Sequence, residues 1–194
     1  NNKKYNIEFV SANPTGPMHV GHCRGAIFGD VLANLLKFNG NQVVKEYYIN
    51  DYGNQIANFT KSVYLRIREI LYKEKFKNNS DLYPGEYIVD IAKKIIKEKS
   101  HIDFSTQINI NKILEEESLR HSMIMIKEDL GLLGIKHDIF TSEKKIVTND
   151  LVNLAVKELK HNNYVVDGFL EPPKGEEIKN WKKTKRMIFK STLF

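Results

Sequence analysis

Three features of the 194-residue sequence predict an α/β fold built on a parallel sheet. An alternating, β-rich stretch, YNIEFVS (5–11), precedes a loop and then a long run of helical periodicity. A second β-rich stretch, QVVKEYYIN (42–50), follows, and strand, helix, strand in that order is the unit of a parallel sheet. A block of helical texture from about 56 to 108 then precedes a third strand, HDIFTS (137–142), and reads as a helical insertion between sheet elements.

Each element has a local cause. NPTGP (13–17) bars regular structure, because Pro14 and Pro17 lack amide donors and Gly16 frees the backbone. From about Val20 to Phe38, the residues Ile27, Val31, Leu32, Leu35 and Leu36 mark one helical face, and Asn39-Gly40 supplies a C-cap. In the insertion, Ile56, Phe59, Val63, Ile67, Ile70 and Leu71 keep helical spacing. A polar loop with Pro84-Gly85 leads into a second amphipathic helix, YIVDIAKKIIKE (87–98). A long helix follows, with Ile113, Leu119, Met123, Ile126, Leu130 and Leu133 on one face and Gly134 as its stop. After the third strand come a helix near 149–161 and YVVDGFLE (164–171), which reads as two short strands turning at Asp167-Gly168. RMIFKSTLF (186–194) reads as a last strand with no closing element, so a larger sheet with a second half is expected.

Composition narrows the classes. The 41% hydrophobic and 28% charged content suits a soluble globular protein. Nothing approaches the roughly 20 apolar residues of a membrane span, and no signal-peptide pattern opens the chain. Cys23 is the single cysteine, which excludes an intrachain disulfide and suits a reducing cytosol. The balance of 30 cations against 24 anions, +6, would suit an anionic partner such as RNA or nucleotide phosphate. Only five of those cations are arginine, however, and an AT-rich coding bias accounts for the lysine, asparagine and isoleucine at least as well. The run KGEEIKNWKKTKR (174–186) sets six cations against two acids around Trp181, and a solvated loop is the commoner meaning of such a run.

The stretch MHVGHCRG (18–25) poses the functional question, because His19 and His22 fall three apart where a helix begins. A metal site needs three or four ligands, and the pair with Cys23 supplies too few. His101, His121, His137 and His161 are scattered singly and are expected at surfaces or helix ends. An ordinary strand–turn–helix joint is the second reading, but Gly21 and Gly25 inside the helix cost about 0.5–1 kcal/mol each relative to alanine. The third reading is a nucleotide at the helix N-terminus, where free amides and the positive dipole end meet phosphate. Gly21 would admit the nucleoside, and the imidazoles would donate to phosphate oxygens that gain charge in the transition state. The G-x-G-x-x-G and Walker A patterns are both absent.

HVGH (19–22) resembles the HIGH signature of class I aminoacyl-tRNA synthetases, shared in looser form with some nucleotidyltransferases. EFVSANPTGPMHVGHCRGAIFGD (8–30) and EYYINDYGNQI (46–56) resemble bacterial arginyl-tRNA synthetases in particular. YPGEYIVDIA, IKEDLGLLGIKHDIFTSE and FLEPPKGEEIKNW agree in order. The resemblance implies the first half of a class I Rossmann-like sheet with its helical insertion, spanning 1–194 as a partial catalytic domain. It implies Mg-ATP, L-arginine and tRNA(Arg) as substrates, no permanently bound cofactor and no metal ligands in the chain. It also implies a cytoplasmic, monomeric enzyme without a membrane partner.

Carried over by position, His19 and His22 would hold ATP phosphates, with Gly21 beneath the nucleoside. Glu8 would face the substrate guanidinium, Asn13 would bind its α-amino group, and Ser11 belongs to the same loop. Asn50, Asp51, Gly53 and Gln55 match a further family block, for which a turn with a helix cap is the plainer explanation. The chain carries no KMSK-type loop, no anticodon-binding domain and no N-terminal tRNA-binding domain. Gly16 stands where some members place a compensating lysine. These 194 residues are therefore expected to be inactive alone. Another class I synthetase, an HxGH nucleotidyltransferase and a non-catalytic nucleotide-binding module are the alternatives.

Overall fold

The computed structural model describes residues 2–77, 79–169 and 184–190. The chain divides into two compact units, Asn1–Lys144 and Lys145–Phe194.

In the first unit, β1 (Lys4–Glu8), β2 (Gln42–Ile49) and β3 (Ile139–Ser142) form a parallel sheet in that order. Lys4 pairs with Gln42 and Glu8 with Glu46, while Glu46 pairs in turn with Ile139. The crossover from β1 to β2 is α1 (Val20–Phe38), whose bounds agree with the sequence expectation. Its packed face does not: Ala26, Gly29 and Ala33 are buried, whereas Ile27, Val31 and Leu35 are at least half exposed. The reason is close approach. A Cβ on Gly29 would lie 2.2 Å from the Phe9 ring, so the helix descends on its small residues and turns its large ones outward. Beneath it, the Lys45 ammonium meets Asp30 at 2.5 Å and Asn34 at 2.9 Å, tying the helix to β2.

The helical layer comprises α2 (Asn54–Tyr72), α3 (Glu86–Glu98) and α4 (Asn111–Leu132). Phe59, Val63, Ile67, Ile88, Ile91, Ile95, Ile110 and Leu114 close one apolar core, so the packing of α2 and α3 reaches into the start of α4. Further along α4, Met123, Ile126 and Leu130 join Phe9, Ala26 and Tyr47 in a second core against the sheet. One helix thus serves both cores. Ile113 and Leu133, expected on its buried face, are 38% exposed.

Two histidines depart from the surface positions expected of them. His121 is 3% exposed on α4, held by Glu98 and Arg120. His137 packs among the rings of Phe9, Tyr47 and Phe140. A short helix, α5 (Glu143–Thr148), that the sequence did not suggest follows β3.

In the second unit, α6 (Leu151–His161) precedes β4 (Val165–Phe169), which pairs antiparallel with β5 (Lys185–Phe189). The Asp167-Gly168 turn is therefore corrected. Asp167 pairs with Met187 and Gly168 with Arg186 inside a continuous ladder, which outweighs the local turn preference. The basic run with Trp181 and the block FLEPPKGEEIKNW lie, from Leu170 to Lys183, outside the described residues, as do the last four residues of the expected final strand. Among the described residues, no helix is long and apolar enough to cross a membrane.

Candidate functional site

The C-terminal ends of β1 and β2 open onto the N-terminus of α1, the usual place for a ligand in an open α/β sheet. His19 is the N-cap of α1. Its Nδ1 accepts from the Gly21 amide at 3.1 Å, and the Nδ1 of His22 accepts from the His19 amide at 3.2 Å. The two imidazoles thus form a reciprocal capping box, a task that serine and glutamate usually share. Their rings stack with centroids 3.7 Å apart and planes 23° apart. An imidazole that accepts at Nδ1 carries its proton on Nε2, so each ring keeps one N–H donor for a ligand. Burial, reinforced by the neighbouring His19, holds His22 below the ordinary histidine value and favours that neutral donor form.

Gly21 serves this arrangement directly. A Cβ there would sit 2.9 Å from the His19 ring, so the glycine leaves room for the capping imidazole. Gly25, by contrast, faces open space.

Around the pair lies a cavity of about 360 Å³, lined by Asn13, Thr15, Gly16, Pro17, His19, His22, Tyr83 and Tyr87. The loop that forms its floor is held from three directions. Tyr47 of β2 donates to the Ala12 carbonyl at 2.8 Å, and burial raises its phenol above the ordinary tyrosine value. Tyr87 of α3 donates to the Thr15 carbonyl at 2.8 Å. Asn50, just past β2, donates from its side-chain amide to Asn13 Oδ1 at 3.0 Å.

Glu8 ends β1 with its carboxylate exposed, and the Ser11 hydroxyl donates to it. The same hydroxyl accepts from the Tyr48 amide at 3.0 Å, so Ser11 links the carboxylate to β2. Between them the backbone is strained: Val10 has φ +66° and Ser11 φ +40°. A β-branched residue in that region costs on the order of 1–3 kcal/mol and persists where its surroundings fix it, commonly at ligand sites.

The block 50–55 divides by role. Asn50 reaches the loop, whereas Asp51 accepts from the Ser142 hydroxyl at 2.7 Å and the Lys144 amide at 2.8 Å, joining β2 to the end of β3. Gly53, at φ +96°, is the N-cap of α2, and Gln55 lies exposed in its first turn. Asn13, His19 and His22 therefore share one cavity, Glu8 and Ser11 share a hydrogen bond, and Asp51 and Gly53 serve the frame.

Tyr47, Tyr83 and Tyr87 were missed by sequence reasoning. YPGEY (83–87) hinted at a special turn, but nothing local tells which loop its rings will meet. Among the described residues, Glu98, Glu117 and His121 bring ligand-type atoms within 4.8 Å of one another. Lys99 and Arg120 already neutralise those carboxylates, which makes the group an ion-pair network between α3 and α4.

Residues 1–170 match the family model for tRNA synthetases class I (R), catalytic domain. Two curated proteins, both described as arginine–tRNA ligase, align along nearly all of the chain. That of Pelagibacter ubique is 56% identical, covering 99% of this chain and 33% of its own length. That of Ehrlichia chaffeensis is 52% identical, covering 100% and 34%. The chain spans about a third of these relatives. Among solved structures, a Campylobacter jejuni chain described as an arginyl-tRNA synthetase superposes with TM-score 0.76 at 34% identity, covering 88% of this chain and 38% of that one. Thermus thermophilus arginyl-tRNA synthetase shares the fold at TM-score 0.56 and 19% identity, over 98% of this chain and 33% of its own.

Proposed function

The chain belongs to the family of class I tRNA synthetase (R) catalytic domains, and from that premise we propose that it bears the ATP site and part of the amino-acid site of an arginine–tRNA ligase. The observation that carries the reading is the capped, stacked pair His19 and His22 at the N-terminus of α1, beside Asn13. Two Nε2–H donors and a helix dipole suit a triphosphate, with Gly21 beneath the nucleoside. Glu8, anchored through Ser11, suits a guanidinium, because a carboxylate pairs with that planar cation in a directed way. Asn13, oriented by Asn50, suits the α-amino group.

In the proposed reaction the arginine carboxylate attacks the α-phosphorus of Mg-ATP. An O–P bond forms, the bond to the β-phosphate bridging oxygen breaks, and pyrophosphate leaves with that electron pair. A ribose hydroxyl of the terminal adenosine of tRNA(Arg) then attacks the arginyl carbonyl carbon. The ester C–O bond forms, the bond from that carbon to the phosphate oxygen breaks, AMP leaves with the electron pair, and the hydroxyl proton is released. The nucleophile is already ionised at neutral pH, so positioning and charge stabilisation carry the first step. The site's donors and acceptors suit that demand. Residues 1–194 would be the HVGH-bearing part of the catalytic domain with an insertion near 56–108, acting as a monomer in the cytoplasm within a longer enzyme.

The test is arginine- and tRNA-dependent ATP–pyrophosphate exchange by the full-length protein, with His22→Ala alongside. Exchange should fall by about two orders of magnitude, as loss of one transition-state donor does elsewhere, with little change in thermal midpoint. Exchange at the parental rate would remove the catalytic assignment of His22.

A further inference from the structure

We infer that Asp129, on α4, is a positioning residue for the HVGH pair, an inference that rests on the function proposed above. Asp129 Oδ2 accepts from the Met18 amide at 3.1 Å across 111 residues of sequence. Met18 immediately precedes the N-cap His19, and it follows Pro17, which has no amide to offer. The preceding fixed points are the Thr15 amide, bonded to the Asn13 carbonyl, and the Thr15 carbonyl, bonded to Tyr87. Asp129 therefore holds the backbone at the last residue before the cap that sets both imidazoles.

The support behind Asp129 is rigid. Its neighbours Ile126 and Leu130 are buried in the core shared with Phe9, Ala26 and Tyr47, so α4 is fixed against the same sheet that carries the site. Met18 itself packs on that core. Charge placement agrees. The first turn of α1 contains no acidic residue, which leaves its amides and dipole to an anionic ligand. Asp129 supplies its carboxylate one residue earlier, where a charge-assisted bond to a backbone amide is strong and geometrically specific. It also lines a cavity with Met18, His19 and Cys23, and His19 is the one residue this cavity shares with the cavity lined by Tyr83 and Tyr87. It acts on the imidazoles through the backbone at Met18.

The test uses the full-length enzyme and ATP–pyrophosphate exchange. Asp129→Ala should lower kcat about 10-fold while the arginine KM stays within twofold, since misplacement of catalytic groups by less than an ångström is costly. Asp129→Asn keeps an acceptor oxygen and should recover activity to within threefold of the parent. Asp129→Glu keeps the charge but moves the carboxylate by one methylene. It should show the kcat loss of the alanine variant, and it serves if that variant does not fold. Parental kcat in Asp129→Ala or Asp129→Glu would overturn the inference, as would an asparagine variant as impaired as alanine or a loss appearing only in arginine KM. His22→Ala in the same assay separates the two levels. If it is inactive while the Asp129 variants behave as the parent, the positioning inference alone fails. If it is fully active, the catalytic assignment of His22 fails, and a parent enzyme without arginine-dependent exchange would overturn the function reading itself.

Discussion

Tyr87 of α3 donates its phenolic hydrogen bond to the Thr15 carbonyl, 2.8 Å away and 72 residues earlier in the chain, so the helical layer holds the loop that carries the HVGH pair. Burial raises the Tyr87 phenol above its ordinary value, with Tyr83 adding to the effect, so the hydroxyl remains a donor through the neutral range. Tyr87→Phe should cost about 0.5–1.5 kcal/mol in stability, because it removes one hydrogen bond and leaves the ring in place. It should also slow pyrophosphate exchange severalfold in the full-length enzyme. A stability loss without any change in exchange would confine Tyr87 to the frame.

Glu8 gives a sharper prediction about substrate. If its carboxylate faces the guanidinium, Glu8→Gln loses a charge-assisted interaction worth about 1.5–3 kcal/mol and raises the arginine KM by roughly one to two orders of magnitude. The ATP KM should barely move. Steady-state exchange at varied arginine decides it, and an unchanged arginine KM would return Glu8 to an exposed strand end held by Ser11.

Acid should weaken the first unit through its buried imidazoles. His137 and His121 are both pushed below the ordinary histidine value, by burial first. For His121, Arg120 and Lys94 act in the same direction and Glu98 opposes them; for His137, Lys45 lowers while the Phe9 backbone, Asp30 and Asp138 raise. A histidine depressed in the folded state takes up its proton more readily once unfolded. Its stability contribution is therefore complete above about pH 6.5 and is lost as pH falls towards the folded value. Thermal midpoints between pH 7.5 and 5.5 should decline, and His137→Phe, which keeps the ring contacts, should make the decline shallower. An identical slope in that variant would show that His137 does not contribute.

Much of this was legible in the sequence where local and tertiary preferences agree. The bounds of α1 followed from the NPTGP loop, the apolar periodicity and Asn39-Gly40, all of which act within a few residues. The parallel sheet followed from strand–helix–strand order. The failures lie where distant residues decide. Asp167-Gly168 has hairpin chemistry, but pairing with residues 185–189 keeps it in a strand. The burial of His121 depends on Glu98 and Arg120, reached only when α3 packs on α4. The site was half legible for the same reason. HVGH announced itself, whereas Tyr47, Tyr87 and Asp129 reach the loop from 35, 72 and 111 residues away.

The outward turn of the apolar face of α1 makes opposite predictions for two glycines in the same helix. At Gly29 an added Cβ would lie 2.2–2.5 Å from three Phe9 side-chain atoms, and Phe9 is itself buried in the sheet core. Gly29→Ala must therefore lift α1 or displace Phe9, which costs about 1–3 kcal/mol as overpacking does elsewhere. At Gly25 an added Cβ meets nothing within 4 Å, and the backbone is already helical. Gly25→Ala should stabilise by about 0.5–1 kcal/mol, because alanine loses less backbone entropy in a helix. With roughly 2–4 °C of midpoint per kcal/mol at this chain length, the two variants should separate clearly in thermal melts of the 194-residue chain. A destabilised Gly25→Ala would mean that this face of α1 is occupied in solution. A neutral Gly29→Ala would mean that α1 does not rest on Phe9, and the outward-facing Ile27, Val31 and Leu35 would then need another explanation.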